Sequence, residues 1–295
     1  MKRWAYTWVD VFADRPLAGN QLCLFTGAGE MEPQSMARLT RELGHSETAF
    51  LQPSALPGAD GRLRIWIPTG PGAVEIPFAG HPILGSACVV AGDRREPSVV
   101  RFETGVGLVP AEVVPLGSGA WEATMTQPLP RVVWSRGMVP GLAEALGLPP
   151  DQLHPGLPVE AVDNGMQTVI IPLASAGAVD RCKPDMAGLR ALLGKDGLCT
   201  LVFALRTEER IACRVFGPFD LVTEDPATGS ANGPLGEYLV RHKLSGSTVF
   251  LSEQGDQVGR PSRLRIAVQT DGTGAVRTIG VGGRVHLVGS GHFFG

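Results

Sequence analysis

Glycine supplies 39 and proline 24 of the 295 residues, roughly one residue in five against a usual share of about 12%. Glycine weakens a helix through backbone entropy, and proline removes an N–H and clashes with the preceding turn. A chain punctuated this densely does not fold as a helical bundle or a coiled coil. It still carries enough apolar material for a core. Hydrophobic residues make up 43% and charged residues 19%, a balance that argues against intrinsic disorder. The length suits one large domain or two medium ones.

Short alternating apolar runs lie between the breakers. Leu63, Ile65 and Ile67 alternate with Arg62, Arg64 and Trp66, and Leu264, Ile266 and Val268 alternate with Arg263, Arg265 and Ala267. Both are half-buried strand patterns. Runs at 4–12, 22–25, 99–102, 121–125, 168–171, 201–205, 211–215 and 284–288 read the same way, which points to a mainly antiparallel α+β architecture. Three helices are expected. One covers 33–43, between Pro33 and Gly44. A second covers about 82–91 after Gly80-His81-Pro82. A third covers about 229–242 after Thr228-Gly229-Ser230. Weaker helical patterns cover 139–147 and 185–194. The second and third helices both begin at a glycine turn that follows a strand, and those turns lie about half a chain apart. This suggests two domains of shared topology, 1–127 and 128–295, with Thr126-Gln127-Pro128-Leu129-Pro130 at the boundary.

Several functions are excluded or disfavoured. With 26 basic and 29 acidic residues the net charge is −3, and no basic block suggests nucleic-acid binding. No apolar run is long enough for a membrane helix. Met1-Lys2-Arg3-Trp4 leads into Tyr6, Asp10 and Asp14 rather than a signal-peptide core, so a cytoplasmic location is expected. The five cysteines at 23, 88, 182, 199 and 213 form no CxxC pair, and the six histidines form no HxH or HExxH pair. Neither a disulfide framework nor a metal site is expected.

The glycine turns are candidate chemistry. A helix start offers unpaired N–H groups and a partial positive charge, and glycine lets a ligand approach the backbone. Two such starts facing a cleft between domains would suit a small carboxylate; ordinary strand-to-helix turns are the alternative. Glu47, in His45-Ser46-Glu47-Thr48-Ala49-Phe50, enters an apolar stretch where partial desolvation would raise its pKa and fit it for proton transfer. The alternative is a solvent-facing strand glutamate. Asp225 precedes Pro226 and the third helix, either as a cap or as a functional carboxylate. His81 sits beside Gly80 as a structural hydrogen-bonding residue or a catalytic one.

Four segments together resemble a known family. Val9-Asp10-Val11-Phe12 with Pro16-Leu17-Ala18-Gly19-Asn20, Ser46 through Phe50, Pro77 through Gly85, and Glu224 through Ala231 are similar, in this order, to motifs of the PhzF family of phenazine-biosynthesis-like isomerases. The resemblance spans nearly the whole chain. It implies a diaminopimelate-epimerase-like fold: two similar α+β domains, each a curved, mostly antiparallel sheet around a central helix. The strand near 284–288 can return to the N-terminal domain in such folds. Racemases of this fold place a cysteine at each glycine turn. Here Ala79 and Thr228 stand at those positions, which excludes a two-thiol racemase.

The resemblance further implies a cofactor-independent isomerase that moves a proton on a small amino- or hydroxy-carboxylate in an interdomain cleft. Its reference reaction is the allylic isomerisation of a dihydro-hydroxyanthranilate. Glu47 would be the acid/base, with His81 and Asp225 completing the catalytic set. Ser46, Gly80, Gly229, Ser230, Gly19 and Asn20 would bind substrate. A homodimer is implied, and no organic cofactor, metal, nucleic acid or membrane. Alternatives are a catalytically silent small-molecule-binding protein of the same fold and a related lyase or epimerase. Gln21 and Ile83 depart from common family residues, which bears on substrate. Pro234 is expected to be tolerated because early helical N–H groups lack partners.

Overall fold

The computed structural model describes residues 2–194, 199–217 and 224–294. They separate into two compact units. The first holds residues up to Thr126 and from Val281 on; the second holds the described residues from Gln127 to Gly280.

The first unit is built from β1 (Arg3–Val11), β2 (Asn20–Phe25), α1 (Pro33–Leu43), β3 (Thr48–Gln52), β4 (Gly61–Thr69), β5 (Gly72–Ile76), α2 (Gly80–Ala91), β6 (Ser98–Thr104), β7 (Gly107–Gly117) and β8 (Ala120–Gln127). The second contains β9 (Arg131–Arg136), α3 (Leu142–Ala145), β10 (Val159–Asp163), β11 (Gln167–Pro172), α4 (Ala176–Arg181), α5 (Met186–Leu193), β12 (Thr200–Leu205), β13 (Arg210–Phe216), β14 (Glu224–Asp225), α6 (Gly229–Arg241), β15 (Val249–Gln254) and β16 (Ser262–Thr270). The last strand, β17 (Val276–Phe294), starts in the second unit and runs on into the first.

In the first unit, β1 pairs antiparallel with β2 and with β17. The β2–β3 pair is parallel, β3–β4 antiparallel, β4–β6 parallel, and β6–β7 and β7–β8 antiparallel. A β8–β17 pairing closes the ring. Closure removes the exposed edges a twisted sheet would otherwise present. Helix α2 packs against β1, β2, β3, β6 and β7. Ten of its 12 residues are buried, as expected of a central helix that meets protein on every side. Gly85 makes this approach possible: a Cβ there would lie 2.6 Å from Leu22 Cδ2 and 2.9 Å from Val9 Cγ2. Helix α1 is amphipathic and packs on β3, β4 and β5. It is started by Pro33 and ended by Gly44 at φ 64°, whose N–H donates to the Thr40 carbonyl.

The second unit repeats the order of pairings. The β10–β11 pair is antiparallel, β11–β12 parallel, β12–β13 antiparallel, β13–β14 antiparallel, β13–β15 parallel and β15–β16 antiparallel. Strand β9 pairs with β10 as β17 pairs with β1. Helix α6 thus follows β14 as α2 follows β5, and ten of its 13 residues are buried. A second apolar layer gathers Leu142, Leu146, Val179, Leu189 and Leu193 from α3, α4, α5 and their flanks over Val169, Ile171 and Val202.

Several elements differ from the reading of the alternation. The helix expected at 139–147 shrinks to four residues because Gly141 (φ 79°) and Gly147 (φ 68°) turn the chain at either end. Helix α2 starts two residues earlier than expected, at Gly80. The strand near 284–288 is part of a 19-residue strand, which Gly280, Gly282, Gly283, Gly289 and Gly291 hid from apolar patterning. Strands β3, β5, β7, β9, β10, β14 and β15 have no counterpart among the alternating runs. In β7, Pro110 and Pro115 mask the alternation, and β9 is largely exposed on both faces.

Candidate active site

The first unit gathers Asn20, Ser46, Glu47, Gly80 and His81 around the start of α2. Asn20 opens β2 after a tight loop. Phe12 (φ 60°) and Leu17 (φ 64°) are left-handed in that loop although neither is glycine. Buried Asp10 holds the turn by accepting from the Leu17 N–H at 2.6 Å. Gly19, expected to bind substrate, has φ 68°, and a Cβ there would lie 2.3 Å from the Val11 carbonyl. Its role in the fold is to let the chain pass at that distance.

Ser46 and Glu47 lie just before β3, where buried Thr48 pairs with Trp66. His45 meets Trp8 edge-on, with centroids 4.4 Å apart. Glu47 is 8% exposed, so the apolar stretch does bury it. The Ser46 hydroxyl donates to Asn20 Oδ1 at 3.1 Å, and Asn20 Nδ2 lies 3.2 Å from His81 Nδ1. On the other side of the ring, His81 Nε2 lies 3.6 Å from Glu47 Oε2. Burial pushes the His81 pKa down to about 3, against the pull of the Gln21 backbone and with the help of His45. The imidazole is therefore neutral at physiological pH. Gly80 and His81 are the first two residues of α2, which has no side-chain cap. Pro82 falls where a missing N–H costs nothing.

The second unit places Asp225, Thr228, Gly229 and Ser230 at the start of α6. Asp225 is buried at the end of β14 and paired with Val215. Its neighbour Glu224 takes a two-pronged contact from Arg214 at 2.9 and 2.6 Å. Arg214 also donates to the Cys182 carbonyl at 2.7 Å, satisfying the rest of its buried guanidinium. The Thr228 hydroxyl donates to Asp225 Oδ2 at 2.5 Å. Gln254 is the hub of this turn. Its Nε2 donates to the Asp225 carbonyl at 2.7 Å and to Thr228 Oγ1 at 3.1 Å, and its Oε1 accepts from the Thr228 N–H at 3.3 Å and Asn232 Nδ2 at 3.2 Å.

Pro234 corrects the sequence reading. It is the sixth residue of α6, beyond the first turn where an N–H is dispensable, so the Ser230 carbonyl loses its acceptor role toward residue 234. Asn164 Nδ2 supplies the missing donor, at 2.9 Å from the Ser230 oxygen. Asn164 also donates to Gln127 Oε1 at 3.1 Å, and Gln127 Nε2 donates to the Gly229 carbonyl at 2.7 Å. These amides bind the carbonyls of the first turn. Its N–H groups receive no side-chain cap. Gln127, Asn164, Arg214 and Gln254 were missed by sequence reasoning. Of these, only Asn164 left a trace, through Pro234, because a proline inside a buried helix demands a substitute donor without naming it.

The cysteines take no part in either group. All five are buried, and none is in a disulfide. Burial pushes Cys23 up to about 12 and Cys182 up to about 11, and raises Cys88 and Cys213 as well. Ala79 and Thr228 stand at the two turns. Among the described residues, no group of three His, Cys, Asp or Glu is placed to hold a metal, and no helix is long and apolar enough to cross a membrane.

Two mostly antiparallel α+β units, each with a buried central helix that opens on a glycine turn, define a protein of the diaminopimelate-epimerase-like fold. A probable proline racemase from Agrobacterium radiobacter K84 shares this fold, with a TM-score of 0.67 at 15% identity over 99% of this chain and 93% of that one. The family model for phenazine biosynthesis-like proteins (PhzC-PhzF) matches residues 9–291, and the chain belongs to that family. It is 34% identical over 262 residues to the trans-2,3-dihydro-3-hydroxyanthranilate isomerase of Pseudomonas aeruginosa, covering 88% of each chain. The solved structure of a predicted epimerase from Pseudomonas aeruginosa matches with a TM-score of 0.85 at 31% identity, covering 99% of each chain. The protein is accordingly an isomerase of the PhzF-like type.

Proposed function

We propose that this isomerase shifts a proton within a small amino- or hydroxy-carboxylate, with Glu47 as the single acid/base. The observation that carries the reading is the placement of the buried Glu47 carboxylate 3.6 Å from a buried imidazole at the start of α2. Glu47 takes the proton from an sp3 carbon beside an unsaturated system, and the freed electron pair moves into that system. The same carboxyl returns a proton at the far end, so charge and atoms balance without an added reactant. His81, neutral through burial, donates a hydrogen bond and stabilises charge on Glu47 or on the substrate.

On this reading the uncapped N–H groups at Gly80, and at Gly229 and Ser230, bind the substrate carboxylate. Asp225 takes an amine, and Ser46 and Asn20 orient polar groups. The substrate class follows that in the relative's name, trans-2,3-dihydro-3-hydroxyanthranilate. The test is to incubate that compound with the protein in D2O and follow proton NMR. The wild type should incorporate deuterium during isomerisation, whereas Glu47→Gln should bind the compound and incorporate none. Undiminished exchange in Glu47→Gln removes Glu47 from the mechanism.

A further inference from the structure

The buried side chain of Gln254 can sit only one way round. The Thr228 N–H can only donate, and Gln254 Oε1 accepts from it at 3.3 Å; the Asp225 carbonyl can only accept, and Gln254 Nε2 donates to it at 2.7 Å. The other contacts agree with that orientation. Oε1 also accepts from Asn232 Nδ2 at 3.2 Å and from the Cys213 thiol at 4.0 Å, and Nε2 donates to Thr228 Oγ1 at 3.1 Å. Asn232 is fixed in turn, since its Nδ2 donates to the Thr228 carbonyl at 2.9 Å. The consequence falls on the Thr228 hydroxyl. Gln254 Nε2 occupies a lone pair of its oxygen, and among the described residues its single proton meets one acceptor, Asp225 Oδ2 at 2.5 Å. An O–H donated to a carboxyl oxygen stabilises the ionised form of that group.

We propose that Gln254 and Thr228 are positioning residues that hold Asp225 as an accepting carboxylate. Gln254 sets the backbone of Asp225 and the hydroxyl of Thr228 together, and Thr228 passes that orientation to the carboxyl group. Asp225 is thereby a fixed anion rather than a proton carrier. This rests on Asp225 as the group that takes the substrate amine, and it sharpens that role. A buried carboxylate that only accepts selects a protonated amine over a hydroxyl, because the bond between two charged groups is the stronger.

The experiment is a 13C spectrum at pH 7 of the protein labelled at the aspartate carboxyl carbon, with Asp225 assigned by the signal lost in Asp225→Asn. The wild-type signal should be that of an ionised carboxylate. Thr228→Val should move it, Thr228→Ser should leave it in place because the hydroxyl is kept, and Gln254→Met should move it in the same direction as Thr228→Val. A protonated Asp225 in the wild type overturns the proposal without recourse to any variant at 228 or 254. A Thr228→Val protein that keeps both the wild-type circular dichroism and the wild-type Asp225 signal overturns it as well, and the same result in Gln254→Met removes Gln254 from the device. With trans-2,3-dihydro-3-hydroxyanthranilate as substrate, Thr228→Val should raise KM roughly tenfold with a smaller change in kcat, and Thr228→Ser should restore KM. A moved carbon signal with an unmoved KM keeps the held carboxylate and takes the amine away from Asp225. If the wild type does not turn the compound over, the substrate reading fails while the carbon signal still decides how Asp225 is held.

Discussion

The two units follow one chain path but differ at the residue that precedes the inner parallel strand. In the first unit that strand is β3, which begins at buried Thr48 after Glu47. In the second it is β12, which begins at buried Thr200 after Cys199. The helix starts diverge in the same sense. His81 is the second residue of α2, and Ser230 holds that place in α6. The first unit presents Glu47 and His81 around its helix start, where the second has one carboxylate, Asp225, held by Thr228. The second also surrounds its helix start with side-chain amides that hold backbone carbonyls. A shared topology thus fixes where a residue stands without fixing what chemistry it brings.

The strongest break in this comparison is at Glu47. Replacing it with glutamine should lower the isomerisation rate by about 10⁴-fold, measured by deuterium incorporation. The second-largest effect is a pH dependence of stability tied to the first unit. In the unfolded chain His81 takes up a proton below its ordinary value of 6.5, while the buried ring stays neutral down to about 3. The unfolded state therefore binds more protons in that window, and stability falls as pH drops from about 6.5 toward 3. One such group contributes at most about 1.4 kcal/mol per pH unit. Urea titrations across this range should show a shallower slope in His81→Gln, and an unchanged slope would assign the effect to another group.

The second unit should respond to loss of its amides. Asn164→Ala leaves the Ser230 carbonyl without its donor and should cost about 2 kcal/mol in urea unfolding. The loss should shrink by about 1 kcal/mol in a Pro234→Ala background, where the backbone N–H can return. Equal losses in both backgrounds would mean that Asn164 does not stand in for the proline. The smallest effect is expected at Cys199, where alanine should leave turnover within about twofold, since a single core substitution away from the site acts on stability. A collapse of kcat in a folded Cys199→Ala protein would give Cys199 a part in turnover.

Much of the candidate site was legible because its residues cluster in short motifs. Ser46-Glu47 and Gly80-His81 are each adjacent in sequence, and a helix start is announced by glycine and proline in a few residues. Likewise α1 was read to its ends, since Pro33 and Gly44 are local signals. What stayed hidden depends on contacts between distant positions. Gln254 is 29 residues from the Asp225 carbonyl it holds, Asn164 is 66 from Ser230, and Gln127 is 102 from Gly229. A buried amide has no sequence signature distinct from an exposed one, because its value comes from the carbonyl or N–H it meets.

The density of glycine and proline, the alternation of short strands and the two glycine turns were sufficient by themselves to determine an α+β chain with a repeated strand-turn-helix plan. Those properties are local, set by backbone freedom and side-chain period. Only the tertiary structure decided that the ring of strands closes on β17, that the His81 imidazole stays neutral, and that Pro234 is accommodated by Asn164. Each of these depends on which groups are excluded from water together, a property of the packed chain that no stretch of sequence carries alone.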